Sequence, residues 1–435
     1  MAGGFESLGL TGTERGIYTV LIFIIAYGFV MTEEFTHLRK SKPVILAAGI
    51  IWANAAVLAA QAGVSVEDMH EAFEYNLKEY AELMLFLLVA MTYINSMAER
   101  NVFEALRSWL VRKQFGYRKL FLITGIITFF LSSVADNLTA ALLVGAVVMA
   151  VGADNPKFVS IGFVNLVVAA NAGGAFCPFG DITSLMVWQS GHAEFFDFFK
   201  LFIPSVVNYA VPATAMYFAV PDEHPKASSE AAVQLKTGAV IICFMFLLTI
   251  ATAVSFKQVL HLPPFFGMMA GLSVLMIYGY VLKTRFRVAG EEDFDIFKRV
   301  RDAEWDTLLF FFGVVFAVGG LGYIGYLELL SAGIYDGLGP TTANILVGLI
   351  SAIIDNIPLM FAVLNMEPDM NLYQWLLVTL TTGVGGSLLS VGSAAGVALM
   401  GQSDNKYTFF SHLAWTPAIA GGYFASILVH YMLNG

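Results

Sequence analysis

From residue 16 to residue 432 the chain is a succession of apolar runs, most near 20 residues long, divided by short charged segments. As helix, about 20 residues at 1.5 Å each cover the roughly 30 Å of a bilayer's hydrocarbon core. Only 13% of the 435 residues are charged and 58% are hydrophobic, against about 25% charged in a soluble domain. A membrane barrel would show alternating segments of about ten residues, and these runs do not alternate. The sequence therefore predicts an all-α polytopic membrane protein. About ten full or broken spans are expected, at roughly 16–31, 43–62, 81–98, 158–190, 199–220, 237–256, 264–282, 305–327, 372–401 and 408–432.

Two further apolar stretches, 119–153 and 337–366, fit no simple span. Between Lys119 and Asp154 lie 34 residues whose only ionisable side chain is Asp136. As one helix they would run about 51 Å, and as two spans each falls short of about 20 residues. A re-entrant helical hairpin fits, with Asp136 near its tip, where a charge would otherwise cost ~3 kcal/mol at a helix centre. The second stretch carries a single charge, Asp355, and then Pro358, which would break a continuous helix. The basic residues support this layout. With the N-terminus outside and each hairpin returning to its own side, 19 Lys and Arg fall inside and only Arg15, Lys78, Lys200 and Lys257 outside, a strong positive-inside bias. Both termini are then outside. The first apolar run has no basic segment ahead of it, so a cleaved secretory signal is not expected.

The two halves share a pattern. SSVADNLTAALL (132–143) matches SAIIDNIPLMFA (351–362), each with Ser four residues before an Asp-Asn pair. Upstream, ELMLFLLVA (82–90) matches DTLLFFFGV (306–314). Downstream, NAGGAFCPFGD (171–181) matches GVGGSLLSVGS (383–393), with a common frame at Gly173/Gly174/Gly180 and Gly385/Gly386/Gly392. By the charge count the hairpins enter from opposite sides, so the units are inverted-topology repeats with broken helices, the plan of secondary transporters. The expected organisation is N-terminal spans 1–62, repeat one at 63–220, a polar connector 221–236, spans at 237–282, a charged cytoplasmic segment 283–304, and repeat two with the last span at 305–435.

A carboxylate beside a carboxamide, with hydroxyls and freed carbonyls, supplies the hard oxygen ligands that small hard cations prefer. Asp136 and Asp355 would serve one cation or two neighbouring sites, with Ser132, Asn137, Thr139, Asn171, Ser351, Asn356 and Ser387 completing the shell. Burial and a second nearby acid both favour the protonated carboxyl. Such a pair can therefore hold protons near neutral pH and exchange them for a metal cation at the same atoms. Two acids would repel an anionic substrate, which disfavours an anion carrier. Neither a nucleophile–base pair nor metal-ligand spacing appears, so an enzyme, a resident cofactor and nucleic-acid binding are not expected. Cys177 and Cys243 form no disulfide framework.

The tip motifs, with NAGGAFCPFGDITSLMVW and GGSLLSVGSAAGVALMG, resemble the NhaD-type sodium/proton antiporters from about residue 14 to 432. That family sits in the ion-transporter superfamily beside arsenite permeases and dicarboxylate or citrate carriers. The resemblance implies Na⁺, often also Li⁺, exchanged for H⁺ across a bacterial inner membrane, with a dimerising scaffold and a mobile domain carrying the hairpins. It implies Asp136, Asn137, Asp355 and Asn356 as ion-site residues, with Asn171, Asp181, Thr183, Ser387, Ser390 and Ser393 nearby. The carboxylate carriers instead resemble a Ser-Asn-Thr pattern at the tips, and here aspartate replaces that serine twice.

Plainer roles compete at several positions. Asp181 follows a helix break opposite Ser393 in the other repeat, and capping a half-helix or binding ion or proton are both open. Ser132 and Ser351 can bond carbonyls four residues back in their own helices. Glu82 and Asp306 read as first-turn helix acids, His412 and His430 as packed histidines, and 67–82 as an exposed amphipathic helix.

Overall fold

The computed structural model describes residues 7–36, 38–225, 232–285 and 294–435, and every regular element among them is helical. Eight of these helices are long and apolar enough to cross a membrane: Glu14–Met31, Ser41–Ala62, Val66–Glu99, Tyr117–Ala135, Pro156–Ala175, Ala239–Leu260, Pro264–Thr284 and Trp305–Ile324. Their ends follow from local chemistry. Thr13, Ser65 and Asn155 each accept a first-turn N–H through the side chain, satisfying donors that a helix start leaves open. Gly63 closes Ser41–Ala62 in the left-handed region at φ 75°, where a Cβ would be strained.

The helices pack as two groups. In the first, Ser41–Ala62 lies along Trp305–Ile324, and Pro264–Arg285 lies against Ala239–Leu260 and Val66–Glu99. Trp52 Nε1 donates to Phe316 O at 2.8 Å and Tyr93 Oη to Gly271 O at 2.8 Å, pinning those pairs. Ile17, Leu21 and Ile24 on the first helix, and Phe244, Leu247 and Leu248 on Ala239–Leu260, remain exposed, the outward apolar face that lipid would cover. In the second group each hairpin packs on a broken helix, and Phe202–Tyr217 lies along Thr416–Asn434. Lys257 links the groups by donating to the carbonyls of Trp188 and Gln189 at the end of Ile182–Gln189.

Both stretches expected as hairpins form helix–turn–helix units. The first is Tyr117–Ala135 and Asn137–Val151, turning at Asp136; the second is Pro340–Ile350 and Asn356–Met366, turning over 351–355. The limb Tyr117–Ala135 is, however, long and apolar enough to cross a membrane, where the sequence reading expected neither limb to reach a full span. Both broken helices break. Pro156–Ala175 stops and Ile182–Gln189 restarts, while Leu372–Gly385 stops and Ala394–Gln402 restarts.

Elsewhere the structure differs from the sequence reading. The stretch 67–82 is the first half of a single 34-residue helix, Val66–Glu99, and one of its faces is buried. Ala72, Asn76 and Tyr80 recur every four residues and are buried, with Asn76 pressed on Gly319, which leaves no room for a Cβ. The expected span 305–327 stops at Ile324, because Gly325 takes φ 112°. The last span starts late, as the short helix Phe409–Leu413 precedes Thr416–Asn434. Parts of the connector (226–231) and of the charged segment (286–293) lie outside the described residues. Beyond the latter, Asp295 caps the short helix Ile296–Arg301.

Candidate functional site

Each hairpin is fastened to its broken helix in the same way. Ser132 Oγ donates to Ala170 O at 2.6 Å, and Ser351 Oγ donates to Thr382 O at 2.8 Å. Ala170 and Thr382 hold equivalent places in the two glycine frames. These serines therefore bond across to the facing helix instead of four residues back in their own. Added Cβ atoms at Gly173 and Gly385 would collide with the carbonyls of Phe129 and Gly348, again equivalent positions. At Gly180 and Gly392 they would lie 2.6 Å from the tip carbonyls of Ser132 and Ala352. The common glycine frame thus marks where hairpin and broken-helix backbones touch.

This fastening brings both tips to one carboxylate, Asp181. It caps Ile182–Gln189, its Oδ1 accepting from Thr183 N and Thr183 Oγ1, both at 2.9 Å. Asn356 Nδ2 approaches the two Asp181 oxygens at 3.3 and 3.2 Å, and Asn137 Nδ2 approaches Oδ2 at 3.4 Å. Asn137 Nδ2 also faces Asn171 Oδ1 at 3.4 Å. Asn171 Nδ2 donates to Val167 O at 2.9 Å and reaches Ser393 Oγ, across the repeats, at 3.1 Å. Ser393 in turn caps Ala394–Gln402 by accepting from Gly396 N. Asn171, Asp181, Asn356 and Ser393 are all buried.

The tip acids flank this cluster and are held differently. Asp136, in the left-handed region at φ 55°, caps its own second limb. Its Oδ1 accepts from Thr139 N at 2.9 Å and its Oδ2 from Thr139 Oγ1 at 2.7 Å. Asp355 receives only a 3.4 Å approach from Ile357 N, and pairs with Lys40 Nζ at 3.2 Å. Asp136 and Asp355 are thus engaged with different partners and not with each other. Among the described residues, Asp136 and Asp181 have no ion-pair partner. The site thus holds three carboxyl groups and, at Asp355 alone, an ammonium partner, so that with all three ionised it carries a surplus of negative charge that favours a cation.

The serines divide. Ser387 Oγ donates to Val384 O at 2.7 Å, and its carbonyl accepts from His412 Nε2. With His412 Nε2 donating there, Nδ1 accepts from Tyr407 Oη at 2.7 Å, so this buried histidine is satisfied in its neutral form. Ser390 Oγ is buried and has no hydrogen-bond partner among the described residues, and the same holds for Thr382 Oγ1 and Tyr27 Oη. Lys40, Thr382 and Tyr27 were not singled out from the sequence. Lys40 read only as one of a run of inside-loop charges, and a lone hydroxyl in an apolar run carries no distinguishing pattern.

These features define a multi-pass helical membrane transporter built from two repeats whose hairpin tips meet at an acidic centre. The profile of a family described as "Citrate transporter" matches residues 20–385. The Na(+)/H(+) antiporter NhaD of Vibrio cholerae is 54% identical over 450 residues, covering 99% of this chain and 94% of that protein. The protein of the same name from Alkalimonas amylolytica is 54% identical over 457 residues, covering 100% of this chain and 94% of that one. Among solved structures, the Alcanivorax borkumensis YdaH transporter aligns over 96% of this chain and 98% of its own, with a TM-score of 0.49 and 12% identity. The chain belongs to the NhaD-type antiporter family of the ion-transporter superfamily.

Proposed function

We propose that this protein exchanges Na⁺, and also Li⁺, for H⁺ across a bacterial inner membrane, with the cation held where the two hairpin tips meet. The observation that carries this reading is the convergence of Asn137 and Asn356, one from each repeat, on the carboxylate of Asp181. In the arrangement seen, each amide presents its nitrogen to the acid. Turning an amide about its terminal torsion presents oxygen instead, so the shell that solvates a bare carboxylate can also ligate a cation. Asp136, Asp181 and Asp355 supply charge, with Thr139, Asn171, Thr183, Ser390 and Ser393 as polar neighbours. Ser132, Ser351 and Ser387 act on this reading as backbone fasteners that shape the cavity.

Protons and cations compete for the same carboxyl oxygens, so the two are bound in turn. Opening the site alternately to each side converts that competition into exchange with no covalent step. The hairpins are re-entrant on this reading, both termini lie outside, and the first helix group is the scaffold through which two copies pair. The anionic alternative, suggested by the name of the matching family profile, is opposed by three acids at the site, one at each tip and Asp181 between them.

The deciding experiment is dye-reported proton flux in proteoliposomes, scanned over Na⁺, Li⁺, K⁺, arsenite and citrate from pH 7 to 9.5. Proton movement driven by Na⁺ and Li⁺ is expected. A response to citrate or arsenite with none to alkali cations would overturn the reading.

A further inference from the structure

The acid of the second tip already carries a cation, and that cation belongs to the chain. Lys40 Nζ lies 3.2 Å from Asp355 Oδ2, with both side chains about one-fifth exposed, at 19% and 17%. The two residues are 315 apart in sequence. Lys40 is the cap residue of Ser41–Ala62 in the first helix group, whereas Asp355 caps Asn356–Met366 in the second. The ammonium also sits 4.3 Å from the centre of the Phe310 ring, a contact that holds a desolvated cation in place. The next residue, Ser41, donates to Asp306 Oδ1 at 2.5 Å, which anchors the start of that helix to Trp305–Ile324.

The repeat explains why Asp355 is available to Lys40. The residue three after Asp136 is Thr139, whose N–H and hydroxyl both donate to that acid. The residue three after Asp355 is Pro358, which has neither group. The same motif therefore satisfies its acid locally at the first tip and leaves it to be satisfied from outside the hairpin at the second.

We propose that Lys40 is a tethered counter-ion that the transported cation must displace from Asp355. Lys40 acts through Asp355 as a positioning residue. Its ammonium and the incoming ion carry the same charge and seek the same oxygens, so occupancy of one excludes the other. Cation arrival at the second tip frees the hairpin from Ser41–Ala62, and cation departure restores the tie. The site is then neutralised at Asp355 in both states, and an empty site does not leave that acid bare between cycles. This inference rests on the cation-exchange reading above.

The test is Na⁺-driven proton flux in proteoliposomes with Lys40→Gln and Lys40→Arg, beside Na⁺-dependent thermal stabilisation of each purified protein in detergent. Removing the competitor should lower the apparent KM for Na⁺ roughly fivefold, the scale of one partly exposed ion pair. Turnover should fall, because nothing then helps the cation leave. Arginine, whose planar fork holds a carboxylate more firmly, should raise KM instead. The stabilisation midpoints should move in the same two directions, which keeps the test valid for a variant too slow to assay by flux. A KM unchanged in both variants, or raised in both as a purely structural role requires, overturns the proposal. Wild-type protein without any Na⁺-driven flux would instead overturn the exchange reading itself.

Discussion

The two hairpin tips share one motif and solve the same electrostatic problem in opposite ways. At the first, Asp136 bends into the left-handed region and is capped by Thr139 within its own limb. At the second, Pro358 replaces that cap, and Asp355 is neutralised by Lys40 from the other helix group. The difference teaches that two repeats can share a motif while dividing tasks between its copies. One tip is self-contained; the other is tied to the first helix group. Between them Asp181 takes both tip carboxamides, while its repeat mate, Ser393, is a neutral cap contacted by Asn171. The asymmetry therefore extends through the whole site.

The largest effect expected from breaking this arrangement is at Asp181. Asp181→Asn should abolish Na⁺-driven proton flux, a loss on the order of a hundredfold or more given that truncating a buried charged group costs several kcal/mol. Asp136→Asn and Asp355→Asn should do the same with the protein still folded and inserted. Unchanged exchange in any one of the three removes that residue from the site.

A subtler variant exchanges the tips' chemistry. Pro358→Thr gives the second tip the cap of the first, so Asp355 should turn towards its own limb and depend less on Lys40. In that background the KM shift caused by Lys40→Gln should shrink towards none. A shift of the same size as in the parent would show that the missing local cap is not what exposes Asp355.

The smallest effect tests the shared part. Ser132→Ala and Ser351→Ala each remove one buried bond to an equivalent carbonyl, so each should cost about 1 kcal/mol of stability and lower the melting temperature in detergent by similar amounts. A large effect at one serine alone would mean that the repeats are not fastened alike.

Much of the architecture was readable before any coordinates. The helix–turn–helix units follow from stretches too long for one span, although the limb Tyr117–Ala135 is by itself long enough to cross. The breaks follow from glycine frames, and the repeat follows from three matched blocks. All are properties of residues near one another in the chain. The site was only half readable, because its key contacts join distant residues: Asn356 and Asp181 lie 175 apart, and Lys40 and Asp355 lie 315 apart. Sequence pairing made Asp136 and Asp355 natural partners because they match across the repeats, and placed Asp181 between capping and binding. In the structure it caps Ile182–Gln189 and also faces both tip amides. The exposed amphipathic helix expected at 67–82 forms, but what covers its buried stripe was not readable, for a similar reason. Its polar face is real, yet the Ala72–Asn76–Tyr80 stripe needs Gly319, far along the chain, to bury it.

By itself, then, the sequence determined that this chain is a helical membrane protein, where its hairpins turn, where its helices break and which acids sit at the tips. Segment length, polarity and backbone chemistry act locally, and local patterns suffice to reveal them. Only the tertiary structure decided which acid lies at the centre and which already holds an ammonium. Those outcomes depend on three-dimensional proximity, where a few ångströms choose the partner of each charge and no spacing along the chain encodes the choice.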